Sequence, residues 1–294
     1  MLVTVNVGNE LIDGLSKAVG VMSRIQPLND DVIELDFGGT QFVSPLFVSA
    51  LLVYIRHTDK QINITNQKDY LNVIRFSEGL LPDKMRRSEF MATMESFSKK
   101  SYIPIVNFPV TNTDEGVKNV VLSTIEELIV RQLHIDKNVS EGLKYFISEL
   151  VDNITEHSRS ERGYIFAQAY PKKGYLDLCI SDCGISILGS YKQSVKYSEI
   201  DSDIEAMKAA NKRISAKNYP EAENRGYGIY TSKRALIEGL NGSFLMVSGN
   251  AVYLKNQLND RLLSFPEYLR LNGTVVALRI PYQNPNFMMC NYWE

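Results

Sequence analysis

The chain has 294 residues, 44% of them hydrophobic and 22% charged, and carries a formal net charge of -2. That length is enough for two domains of ordinary size, each burying its own core. The near-neutral balance argues against nucleic acid as a main partner, and no segment approaches the roughly 20 apolar residues that a spanning helix needs.

Three cysteines, Cys179, Cys183 and Cys290, form no paired spacing pattern and fit a reducing compartment better than a disulfide framework. Residues 1–10 read as a short alternating strand, without the cationic start and long apolar run of a signal peptide. The expected location is the cytoplasm, with no membrane partner.

In chain order, residues 2–7 read as a strand, 10–23 as a helix and 32–37 (VIELDF) as a buried strand running into Gly38-Gly39. Residues 45–56 form a strongly apolar helix, with Pro45 tolerated in its first turn. A strand at 61–65 and a short helix at 69–75 follow. This alternation predicts a small sheet with helices packed on it, spanning 1–100. Charges cluster over 82–100, and a domain boundary is expected near residue 100; the same stretch also reads as an amphipathic helix of the first domain.

The second half opens with a strand at 102–110 and helices at 115–133 and 139–157. Strands at 164–170 and 175–181 flank the turn Pro171-Lys172-Lys173-Gly174. After a long irregular stretch come a helix at 229–238 and strands at 243–248, 252–255 and 274–281. The order predicts a second α/β domain over 101–284, a mixed sheet with helices on one face, and a tail at 285–294.

Four short motifs can carry chemistry. Glu149, Asn153 and His157 recur every fourth residue, so on a helix they share one face. They offer a base, a neutral oxygen ligand and an imidazole, beside apolar surface from Tyr145, Phe146 and Ile147. Alone, such a stripe is the wet side of an amphipathic helix. Asp182-Cys183-Gly184 follows a strand and can set one carboxylate on a pocket floor, where it would accept from an exocyclic amine. Arg225-Gly226-Tyr227-Gly228 leads into a helix, where glycines let phosphate approach and Arg225 adds a cation. Asn272-Gly273-Thr274 starts the last strand, an ordinary turn-to-strand transition whose threonine hydroxyl could also support that aspartate through a hydrogen bond or a bridging water. Neither a Walker-type P-loop nor a full dinucleotide fingerprint is present.

Taken in order, E-x-x-x-N-x-x-x-H, D-x-G, G-x-G and G-T resemble the GHKL ATPase superfamily over residues 105–283. The resemblance implies the Bergerat fold, an α/β sandwich that holds ATP under a mobile lid, here 187–224. It implies Asn153 as ligand of the Mg2+ that bridges the triphosphate, and Glu149 as general base or water-orienting group. It matches Asp182 to the base-binding aspartate, with Gly184 beside it. Gly226 and Gly228 match the phosphate-side glycines, and Thr274 the threonine near the base. His157 stays open between a structural and a catalytic role. Ser186 stands where the family's aspartate box has a second glycine, which makes that turn less permissive.

Residues 32–55 resemble the central strand, loop and helix of STAS domains, without the phosphoacceptor serine at its usual place. Ser44 reads as a helix N-cap. A STAS-like domain before a GHKL domain points to the anti-sigma-factor serine-kinase branch. The expected function is a Mg-ATP-binding signalling protein, an ATPase or serine/threonine kinase acting on a protein partner such as a STAS-domain or sigma-factor-like regulator. The alternative is a non-catalytic ATP sensor whose lid switches an interface. Dimers are common among related ATPases, which admits a homodimer here.

Overall fold

The computed structural model describes residues 1–3, 10–67, 69–110, 115–194, 197, 199–212 and 228–293. Its helices are α1 (Ile12–Ile25), α2 (Pro45–His57), α3 (Asp69–Val73), α4 (Arg87–Glu95), α5 (Glu115–Leu133), α6 (Lys137–His157), α7 (Ser186–Lys192), α8 (Asp203–Asn211) and α9 (Gly228–Arg234). Its strands are β1 (Val32–Asp36), β2 (Gln61–Thr65), β3 (Val106–Pro109), β4 (Arg162–Tyr170), β5 (Tyr175–Asp182), β6 (Ser243–Gly249), β7 (Ala251–Lys255), β8 (Asp260–Ser264) and β9 (Leu271–Pro281). Among these residues no helix is long and apolar enough to cross a membrane.

The protein is mixed α/β. β1 and β2 pair in parallel across the α2 crossover, and the other strands form one seven-stranded sheet in the order β3-β4-β5-β9-β6-β7-β8. Every pairing in the large sheet is antiparallel, so the expected mixed sheet is corrected. Short connections between neighbours such as β4 and β5 permit only that polarity, since parallel neighbours need long crossovers.

The helices of residues 101–284 pack on one face of this sheet, and α2 of the N-terminal part covers the other. Strand side chains alternate, so each strand feeds two faces. Ile180, Leu178, Val276, Leu278 and Met246 pack under α5 and α6. Their alternates Phe166, Cys179, Leu245, Val275 and Ala277 pack with Phe47 and Leu51 of α2. Residues 45–54 of α2 are all buried, because α1 covers one side of this helix and the large sheet the other. A helix apolar all round is the sequence mark of burial on both sides. Ser44 caps it, its Oγ accepting from Phe47 N at 3.4 Å, and Pro45 occupies the first turn.

Around residue 100 the chain is ordered throughout. The stretch 82–100 forms a 3₁₀ turn and α4, which buries Phe90 and Met94 against α5. Ile105 and Asn107 hydrogen-bond back to Ile74 and Leu80, so the predicted strand at 102–110 is a short β3 plus a separate bridge from Tyr102 to Gln168. The core facing α2 draws on both sides of residue 100. At the other end, Phe287 and Met289 are buried, and Phe287 fills the space above Gly142 of α6. The predicted strand 2–7 lies largely outside the described residues; Leu2 bridges Asp36.

Candidate functional site

The helix α6 is the common wall of the site. Val139, Leu143, Phe146, Leu150 and Ile154 bury its apolar face, which leaves Glu149, Asn153 and His157 half-buried along one edge. Asn153 Nδ2 donates to the Glu149 carbonyl at 2.6 Å. That bond uses the donor end of the amide, and the oxygen end keeps its lone pairs as an acceptor. The Tyr145 hydroxyl bonds both Glu149 and Thr231 of α9; burial, then the Glu149 charge, pushes it up to about 12. His157 Nδ1 lies 3.4 Å from Ser190 Oγ, and Nε2 lies 3.9 Å from Glu156, so this ring links α6 to α7.

Two glycines close onto this wall. A Cβ on Gly228 would fall on the Glu149 carboxylate. One on Gly184 would fall on the Ser158 carbonyl at the end of α6, where Ile185 N also donates at 2.8 Å. Only glycine permits either approach. Arg225 and Gly226 lie outside the described residues.

At the same end of the sheet, Asp182, Thr274 and Ser248 stand side by side on β5, β9 and β6, in register and on the α6 face. Asp182 is 3% exposed. Burial pushes its carboxyl up to about 7, against N–H donation from Gly184, at 2.8 Å, and from Thr274. The register of β6 against β9 shifts after Ser248, a bulge that swings residues 272–273 across the top of Asp182. Gly273 has φ 128° and presses on the Asp182 carbonyl, which excludes a side chain there.

Ser186 adopts φ 63°, the left-handed conformation that favours glycine. Its Oγ accepts from Gly189 N at 3.3 Å, a local compensation. The described part of the predicted lid is anchored at three places. Ile187 N donates to Ser248 Oγ at 2.9 Å. Asp203, buried at the start of α8, accepts from Asn250 N and Arg270, each at 3.0 Å. Asn211 at the end of α8 accepts from Lys233 Nζ at 2.9 Å. Burial lowers Lys233 to about 8, and the ammonium lies 4.9 Å from the centre of the Tyr253 ring.

The structure therefore sets Gly228 of α9 against Glu149 of α6, one turn from Asn153, and sets Gly184 against the C-terminal end of α6, with Asp182 beside Thr274 on the sheet. Sequence reasoning missed Tyr145, Thr231 and Ser248. Tyr145 stands four residues before Glu149 and extends the same stripe, but reads as apolar. Comparison with protein-family profiles, curated proteins and solved structures finds no match.

Proposed function

We propose that this chain is a Mg-ATP-binding signalling protein with a GHKL-type, Bergerat-fold ATP site and a STAS-like N-terminal part. The observation that carries the reading is the convergence on α6: Gly228 against the Glu149 carboxylate and Gly184 against Ser158 of the same helix. Motifs scattered over 126 positions of sequence meet at α6: Gly228 and Gly184 pack on it at Glu149 and Ser158, and Asp182 and Thr274 pair on the sheet face beneath it. Such a set suits a ligand with a polar base at one end and phosphates at the other.

In this reading Asp182 accepts from the exocyclic amine of adenine, with Thr274 beside it. Asn153 supplies a neutral oxygen to Mg2+, the remaining positions being filled by phosphate and water, as that cation prefers. Glu149, oriented by Tyr145, accepts the proton of the attacking water or of a protein hydroxyl. The partner is a cytoplasmic regulator of the STAS or sigma-factor type.

A second reading is a non-catalytic ATP sensor, whose switch would have to release contacts of the lid. The anchors at Ile187, Asp203 and Asn211 hold α7 and α8 against the body of the protein. Incubating the purified chain with Mg-ATP, and following phosphate release and phosphoprotein formation, separates the two. Turnover abolished by Glu149→Ala supports the enzyme; binding without turnover supports the sensor. Failure of the wild type to bind ATP any better than Asn153→Ala and Asp182→Asn would sink both.

A further inference from the structure

Ser248 is 2% exposed and makes three hydrogen bonds through one oxygen. Its Oγ accepts from Ile187 N at 2.9 Å, lies 3.1 Å from the Gly273 carbonyl oxygen, and lies 2.9 Å from Thr274 Oγ1. Two of these partners have fixed polarity: an amide N–H only donates and a carbonyl only accepts. A serine hydroxyl has one proton and two lone pairs. Ile187 takes one lone pair, and Gly273 takes the proton. The remaining lone pair can bond Thr274 only if Thr274 is the donor. All three bonds coexist in this arrangement alone, and an unmade bond at a buried hydroxyl is costly.

The proton of Thr274 is thus spent on Ser248. What Thr274 Oγ1 retains is lone pairs, next to Asp182 in register on the neighbouring strand. Above about pH 7, where it is ionised, the Asp182 carboxylate also only accepts. We propose that Ser248 is a specificity-determining positioning residue: by holding the Thr274 proton it leaves the base end of the site with acceptors alone, and so selects a 6-aminopurine over a 6-oxopurine. The inference rests on the ATP reading and deepens it. An amino group brings protons to both acceptors, whereas an oxo group meets lone pairs with lone pairs. Ser248→Ala frees the Thr274 hydroxyl to rotate and donate, and the rejection of the oxo group weakens.

The test is calorimetric titration of the full chain with Mg-ATP and Mg-ITP at about pH 8.5, where Asp182 is ionised. Wild type should prefer ATP, and Ser248→Ala should narrow the ATP-to-ITP affinity ratio about tenfold, the scale of one hydrogen bond. Thr274→Val keeps the shape without the hydroxyl and should narrow it as much, with the double variant losing no more. A folded Ser248→Ala with the wild-type ratio overturns the proposal while the ATP reading stands; so does a wild type that binds both nucleotides equally. Should Ser248→Ala fail to fold, an unchanged ratio in Thr274→Val overturns it. A wild type that binds neither nucleotide removes the ATP reading itself and the proposal with it.

Discussion

The backbone of Gly228 lies directly on the carboxylate of Glu149, so the first residue of α9 and the middle of α6 occupy space that no side chain could share. Gly228→Ala should destabilise the protein by about 1–3 kcal/mol, the usual cost of overpacking a filled site. In a Glu149→Ala background the same change should cost far less, because the obstructing carboxylate is gone. Thermal melts of the four proteins measure the coupling; additive losses would show that the clash is relieved elsewhere.

Asp182 titrates from a raised position, and the sign of its effect on stability follows. Its carboxyl is at about 7 in the folded chain against 3.8 for the ordinary group. The folded state therefore holds the proton more tightly than the unfolded state between those values. The contribution is full below about pH 4 and is lost as pH rises through about 7. Asp182→Asn should flatten that decline in melting temperature. Nucleotide affinity should run the other way in wild type, rising through about pH 7 as the carboxylate becomes the acceptor. A pH series of melts and titrations on both proteins checks the two trends, and parallel melting curves would refute the first.

Ser186 sits in a left-handed conformation while its hydroxyl caps Gly189. Ser186→Gly relieves strain and loses the cap, two terms of about 1 kcal/mol or less that oppose each other. It should stay within about 0.5 kcal/mol of wild type. Ser186→Val loses the cap and adds a branched side chain at positive φ, and should cost roughly 2 kcal/mol. Urea unfolding of the pair decides; equal stabilities would mean that the turn changes shape on substitution.

At the opposite end of β5 and β9, on the α2 face, Arg279 grips Asp177 through bonds of 2.8 and 2.9 Å and stacks 4.1 Å above the Tyr175 ring. Asp177 is 2% exposed. Arg279→Met leaves that carboxylate buried and unpaired and should cost about 3–5 kcal/mol. Adding Asp177→Leu should restore most of the loss. Denaturant melts of the single and double variants test this, and a double variant no more stable than the single would argue against it.

Much of the architecture was legible because apolar periodicity reports burial. The α6 helix and the strands β4 and β5 were read to within a few residues from side chains that pack onto one another. Gly184 and Gly228 stand out in the sequence because glycine marks close backbone approach, and each does approach α6 closely. β8 was not legible: as an exposed edge strand its five residues carry no alternation of buried and open positions. Ser248 was not, since a serine closing an apolar strand looks like its end rather than a donor to a carbonyl on the neighbouring strand. Coverage of the second sheet face was written in α2, whose apolar character on every side demands two neighbours, but the sequence does not say which. Tyr145 misled for a related reason, because a tyrosine shows its ring to a pattern search and its hydroxyl only to a partner.

The placement of α2 bears on modularity. A gene fragment starting near residue 101 would encode the strands and motifs of the candidate site. It would also present Phe166, Leu245, Val247, Val275 and Ala277 to water as one greasy slab, with α2 no longer there to cover it. The N-terminal part is thus less a passenger than a permanent lining, and recombination that swapped it would have to supply another helix of the same shape.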